Sequence, residues 1–200
     1  MEGASVFDLN VPLILASGSP RRREILDLMG LDYTVDVSDA DEAFSAGPQE
    51  TVLELSLRKA QAVADRHAGA LVLAADTVVF AREILGKPDS VERAREMLYT
   101  LSGDWHSVYT GMTLIDTRSG KLYQRAECTR VHFVQMTSAE IDDYIATGEP
   151  MDKAGAYAIQ GMGGMFIDRI EGSHSNVIGL PMAALRSMLA EVGQNITDQE

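Results

Sequence analysis

Leu13-Ile14-Leu15-Ala16-Ser17-Gly18-Ser19-Pro20-Arg21-Arg22-Arg23 is the stretch on which the fold turns. Its four leading apolar residues read as a short buried strand. Ser19 is a good N-cap and Pro20 suits the first helical position, so a helix is predicted to follow at once and to end at Gly30. Ile25, Leu26 and Met29 give that helix one apolar face. A helix start offers unpaired N–H groups and the positive end of the dipole, which together suit an anion. Gly18 lets the backbone approach closely, and Ser17 and Ser19 add hydroxyls. Arginines in a first helical turn oppose the macrodipole, which favours an anion bound there. A solvated basic patch beside a capped helix is the alternative.

Outward from this turn, strands and helices alternate. Residues 33–37 alternate like a strand and 38–48 form a polar, acidic loop. Thr51-Val52-Leu53-Glu54 has the pattern of a capping box, opening a helix to about His67. Residues 70–75 read as a buried strand that continues through 78–80. Asp89 and Glu92 are read as capping a helix with apolar residues at helical spacing, stopped by Gly103. Residues 106–116 and 122–134 read as two long strands joined in a hairpin by Thr117-Arg118-Ser119-Gly120. Thr137 and Glu140 form a second capping box. Residues 153–170 read as strands and tight turns, and Leu180-Pro181 opens a final helix ending at Gly193. Early alternation with a hairpin in mid-chain predicts an α/β domain with a mixed sheet.

The 200 residues suit one domain, with 46% hydrophobic and 24% charged residues, enough to bury a sizeable core. Residues 1–10 and 194–200 read as frayed ends. A formal net charge of −13 argues against a general nucleic-acid binder or a partner at an anionic membrane. Cys128 is the single cysteine, so no internal disulfide forms, and it reads as a small strand residue. Residues 1–10 lack a basic n-region and the apolar runs are short, so the chain reads as a soluble, cytoplasmic protein.

Further segments carry chemistry. Asp76 ends the apolar strand in Ala74-Ala75-Asp76-Thr77, where carboxylates of α/β proteins project toward ligands. It could hold a divalent metal or take a proton from water, or be a plain turn residue. Lys87, between Gly86 and Pro88, sits on a constrained loop and offers a point charge to phosphate; Lys59 is as weak a signal by itself. Gln160 precedes a turn of glycines, where its amide could read a base edge. Asp39, Asp41 and Glu42 form an acidic loop whose oxygens suit Mg2+ or Mn2+. The four histidines share no metal-ligand spacing.

Taken in order, these segments resemble the Maf family of nucleotide pyrophosphatases, named in connection with septum formation. The resemblance runs from Leu15-Ala16-Ser17-Gly18-Ser19-Pro20-Arg21-Arg22 through Lys59-Ala60, Ala75-Asp76-Thr77, Gly86-Lys87-Pro88 and Leu101-Ser102-Gly103. It continues through Glu149-Pro150-Met151-Asp152-Lys153-Ala154-Gly155-Ala156-Tyr157, Ile159-Gln160-Gly161 and Val177-Ile178-Gly179-Leu180-Pro181. It implies an α/β fold with a mixed, strongly twisted sheet in two lobes around a deep cleft, like inosine triphosphatase. It implies hydrolysis of a nucleoside triphosphate to the monophosphate and pyrophosphate with a divalent cation, by a homodimer. Ser17, Arg21, Arg22, Lys59 and Lys87 would surround the triphosphate. Asp76 would activate water, with Glu42 as its acidic partner near the metal.

Arg21, Thr77 and Gln160 resemble the branch that acts on dTTP and UTP. The branch preferring 7-methyl-GTP carries Trp and Glu at the positions of Arg21 and Gln160. A glutamine amide both donates to and accepts from a uracil or thymine edge. The alternatives are a pyrophosphatase for 7-methyl-GTP or other non-standard nucleotides, and a nucleotide-sensing regulator of septum formation.

Overall fold

The computed structural model describes residues 9–41, 43 and 46–197. Strands β1 (Leu13–Leu15), β2 (Thr34–Val35), β3 (Leu71–Phe80), β4 (Ile84–Leu85), β5 (Trp105–Asp116), β6 (Lys121–Phe133) and β7 (Ile167–Glu171) form one sheet. Its order is β2-β1-β3-β5-β6-β7, with β4 on β3. β1 pairs parallel with β2 and β3, whereas β4 and β7 pair antiparallel with β3 and β6. The sheet is therefore mixed. The helices are α1 (Pro20–Leu28), α2 (Pro48–Ala64), α3 (Val91–Leu101), α4 (Ser138–Ala146), α5 (His174–Ile178) and α6 (Met182–Thr197).

The chain divides into two compact units. The first takes in the chain up to Asp76, Thr110–Glu127 and the chain from Gly179 onward. In it β1 and β3 are buried along their apolar lengths, and Ile14, Ala16, Val72 and Ala74 pack with Ala60 and Val63 of α2 and with Ile115. Two contacts seat α2 against β5. Ser56 Oγ lies 2.9 Å from Thr113 Oγ1, and Gly111 sits directly beneath the α2 backbone. A Cβ at Gly111 would collide with the carbonyl of Val52 and lie 2.8 Å from Leu53 N. Backbone atoms cannot swing aside as a side-chain tip can. Gly111→Ala is accordingly expected to cost about 2 kcal/mol, on the order of an overpacked core, read as a lower urea midpoint. An unchanged midpoint would show that α2 can lift away freely.

The second unit holds Thr77–Tyr109 and Cys128–Ile178. Its core gathers Val79, Leu98, Val131, Phe133, Ile141, Tyr144, Tyr157 and Phe166. His106, Phe133 and Tyr157 pack edge to face at 4.9–5.3 Å between ring centroids. Thr137 and Glu140 make both halves of the expected capping box on α4.

Several local readings are corrected. α2 starts at Pro48, three residues before Thr51, because Pro48 takes the first helical position; Thr51 is buried and Glu54 pairs with Arg58 instead. Ser90, whose side chain accepts from Arg93 N–H, caps α3 in place of Asp89 and Glu92. The predicted strands in 153–170 are mostly 3-10 turns at Ala154–Ala156 and Met162–Phe166, followed by β7, with another 3-10 turn just before them at Glu149–Asp152. Closely spaced glycines permit tight turns as readily as strand bends. α6 continues through Gly193 to Thr197, since glycine lowers helix stability without forbidding it.

Candidate active site

Parallel pairing sets the geometry of the first unit. Leu15 stands opposite Leu73, and Ala16 N–H donates to the Leu73 carbonyl at 2.8 Å. The register therefore brings the Ser17 turn, which leaves the carboxyl end of β1, beside Asp76, which lies within β3 rather than ending it as the sequence suggested, on strands about 4.8 Å apart. That end is where open α/β sheets hold their ligands. Asp76 meets α2 here: Lys59 Nζ donates to Asp76 Oδ1 at 2.6 Å. Their side chains are 14% and 13% exposed, so the pair is mostly sheltered yet reachable from solvent. Among the described residues no donor reaches Asp76 Oδ2.

The turn itself is built differently from its sequence reading. Ser19 is the N-cap of α1, but its side chain makes no capping bond. Ser17 Oγ instead accepts from Ser19 N–H at 3.3 Å and from Arg22 Nη1 at 2.9 Å. With its oxygen engaged as acceptor, the Ser17 hydroxyl has its proton left to offer an anion. Arg22 Nε donates to the Gly179 carbonyl at 3.0 Å, which ties the turn to the chain just before α6. Arg21 is half-buried and makes no hydrogen bond or ion pair among the described residues. Arg23 is exposed.

In the second unit, Thr77 continues β3 directly beyond Asp76. Lys87 is exposed beside buried Pro88, and its loop is held by Gly155 N–H donating to the Gly86 carbonyl at 3.1 Å. Gln160 is exposed on the turn between two of the 3-10 segments. Glu42 lies outside the described residues. Asp39 is exposed and near Arg66, and Asp36 takes both Arg66 and His67 as partners. Hydrogen bonds from His67 and Arg66 hold the Asp36 carboxyl below its ordinary range. Among the described residues no three His, Cys, Asp or Glu side chains converge as a metal site. No helix among them is long and apolar enough to cross a membrane.

The anchoring of Arg22 on Gly179 was not legible, because a backbone carbonyl leaves no mark in sequence. Neither was the Lys59–Asp76 pair, since Lys59 is a weak signal by itself and seventeen residues separate the two.

A family model described as Maf-like protein matches residues 12–192. The chain belongs to the Maf family. Curated Maf relatives include a dTTP/UTP pyrophosphatase of Bacillus cereus, 44% identical, covering 92% of this chain and 97% of that protein. Another of the same name, from Bacillus mycoides, is also 44% identical over 92% of this chain and 97% of its own length. Among solved structures, a HAM1 protein from Coxiella burnetii aligns over 92% of this Maf chain and 99% of that chain, with a TM-score of 0.53 and 15% identity. That likeness concerns the fold and bears out the mixed α/β architecture.

Proposed function

We propose that this Maf protein hydrolyses dTTP and UTP to the monophosphate and pyrophosphate. The observation that carries the reading is the sheltered Lys59–Asp76 pair on β3, next to the carboxyl end of β1 and the Ser17 turn. Two relatives at 44% identity named dTTP/UTP pyrophosphatase supply the substrate class.

In this reading Lys59 orients the Asp76 carboxylate through Oδ1, and Oδ2 accepts the proton of the attacking water. The Ser17 hydroxyl, Arg21 and the N–H groups at the start of α1 bind phosphate oxygens and stabilise the charge that grows on the leaving pyrophosphate. Arg22 supports them by fixing Ser17 in place, in addition to the charge it brings. Lys87 carries the phosphate role, and Thr77 and Gln160 the base-reading role, that the family resemblance assigns them. A divalent cation, Mg2+ or Mn2+, belongs to the reading and supplies charge neutralisation on the triphosphate. Such ions bind through one or two carboxylates plus substrate phosphates, and Asp76 offers a suitable hard oxygen, with Glu42 the second candidate. The net charge of −13 supports a small-molecule substrate rather than a nucleic acid or membrane surface. A cytoplasmic homodimer with a link to septum formation follows from the family resemblance.

The test is pyrophosphate release from a panel of nucleoside triphosphates with Mg2+ or Mn2+. We expect kcat/KM for dTTP and UTP to exceed that for 7-methyl-GTP by at least about a hundredfold, since a site built to hydrogen-bond one base edge strongly rejects a base that leaves its polar groups unpaired. A preference for 7-methyl-GTP overturns the substrate assignment.

A further inference from the structure

Glu149 opens the run Glu149-Pro150-Met151-Asp152-Lys153-Ala154-Gly155-Ala156-Tyr157 and has no part in the reading above. It nevertheless organises the segment that carries Gln160. Its Oε2 accepts from Met162 N–H at 3.0 Å, and its Oε1 accepts from Gly163 N–H at 3.0 Å and from the Tyr144 hydroxyl at 2.7 Å. Tyr144 Oη in turn accepts from Ala158 N–H at 3.2 Å. One carboxylate and one phenol thus hold backbone groups on both sides of Gln160, at positions 158, 162 and 163. The Gln160 side chain itself is exposed, so this backbone brace fixes its starting point.

The glycines fit the same arrangement. A Cβ at Gly161 would run into the Glu149 carboxylate. A Cβ at Gly163 would lie 2.5 Å from Tyr144 Oη and 2.8 Å from the Ala158 carbonyl. The turn is therefore wrapped closely around these two side chains: a larger residue at Gly163 would meet the Ala158 backbone, and one at Gly161 would displace the Glu149 carboxylate from its donors. Tyr144 is buried, packed on Phe166 at 5.5 Å between centroids, so the brace stands on the core of the second unit. Partial burial pushes the Glu149 carboxyl up, but the Tyr144 hydroxyl and the Gly163 and Met162 N–H groups outweigh it and hold it below the ordinary value. It is thus the ionised, acceptor-only form that the three donors select.

We infer that Glu149, backed by Tyr144, is a positioning residue for pyrimidine recognition, acting through the backbone of the 158–163 turn on Gln160. The inference rests on Gln160 reading the base. A carboxylate accepting from three donors cannot be replaced by an amide without turning one acceptor into a donor, so Glu149→Gln breaks the brace while keeping its shape.

The experiment measures kcat and KM of the full chain on dTTP and GTP for the parent, Glu149→Gln, Tyr144→Phe, Gln160→Ala and the Glu149→Gln/Gln160→Ala pair. Gln160→Ala is expected to lower the dTTP-over-GTP ratio of kcat/KM about tenfold, mainly through KM for dTTP. Glu149→Gln is expected to shift the ratio in the same direction and by a similar factor, and Tyr144→Phe in the same direction by less. The double variant is expected to be no less selective than Gln160→Ala alone, because the two changes remove one function. A brace that matters only for folding lowers the amount of active enzyme and leaves KM and the ratio at parental values in both Glu149→Gln and Tyr144→Phe; that result overturns the inference. Multiplying effects in the double variant overturn it as well. An unchanged ratio in Gln160→Ala overturns the base-reading role and this inference together, whereas a shift in Gln160→Ala without one in Glu149→Gln overturns this inference alone.

Discussion

Asp76→Asn is expected to slow pyrophosphate release from dTTP by about 100- to 10,000-fold, the range lost when a positioned general base is removed. Asparagine has the shape of aspartate, and its Oδ1 still accepts from Lys59 Nζ, so the link between α2 and the middle of β3 survives. What disappears is the second carboxylate oxygen as a proton acceptor. The amide nitrogen that replaces it donates hydrogen bonds and cannot take a proton from water. The variant also removes a negative charge from beside the Lys59 ammonium, whose side chain is only 14% exposed. A loss of thermal stability of a few degrees is therefore expected, well short of unfolding at assay temperature. Single-turnover pyrophosphate release alongside a thermal melt separates the two effects. Parental turnover in a folded Asp76→Asn protein would remove Asp76 from the chemistry.

The second large effect is on stability against pH, and it comes from His106. Burial is the main cause that lowers its pKa, from 6.5 to about 4; the nearby His132 lowers it further and Asp104 opposes. Its Nε2 lies 2.8 Å from the Tyr157 hydroxyl, while among the described residues Nδ1 is buried with no partner. Protonation would place a charge on that unpartnered nitrogen between Phe133 and Tyr157. Because the folded pKa lies below the unfolded one, the unfolded chain binds more protons between pH 4 and 6.5. Stability is thus fully present above about pH 6.5 and is lost as pH falls toward 4, by about 3 kcal/mol over that window. Asp36, Asp116, Glu140 and Asp168 are all held low by hydrogen bonds, and their contributions are lost as pH falls below their ordinary values of 3.8 for the aspartates and 4.5 for Glu140, at the acidic edge of this window and beyond. Urea unfolding at pH 7, 6, 5 and 4.5 should show the decline in the parent and a flatter profile in His106→Gln. Parallel profiles for the two proteins would mean that His106 titrates freely in the fold.

His106 also shows where sequence reading ends. The histidines share no ligand spacing, and nothing in their neighbourhoods ranks one above another. Only the packing of β5 against Phe133 and Tyr157 makes this imidazole unusual. The same limit applies at Gly111, whose need for a bare Cα comes from the α2 backbone above it, some sixty residues earlier in the chain.

The sequence alone determined what depends on near neighbours. The apolar run at 13–16, Pro20 after Ser19, the hairpin turn at 117–120 and the Thr137–Glu140 box are local signals, since strand, helix and cap chemistry act within a few residues. The ordered motifs likewise identified the Maf family without any coordinates. Tertiary structure decided the partners. Ser17, just past the end of β1, and Asp76, within β3, come together because β1 and β3 pair in parallel register, and Lys59 reaches Asp76 because α2 packs over that register. Arg22 finds the Gly179 carbonyl, and Glu149 finds the amides of Met162 and Gly163. Each of these is a hydrogen bond whose partner is set by chain closure over many residues. Residue type states what a group can donate or accept, and only the folded register determines which group it meets.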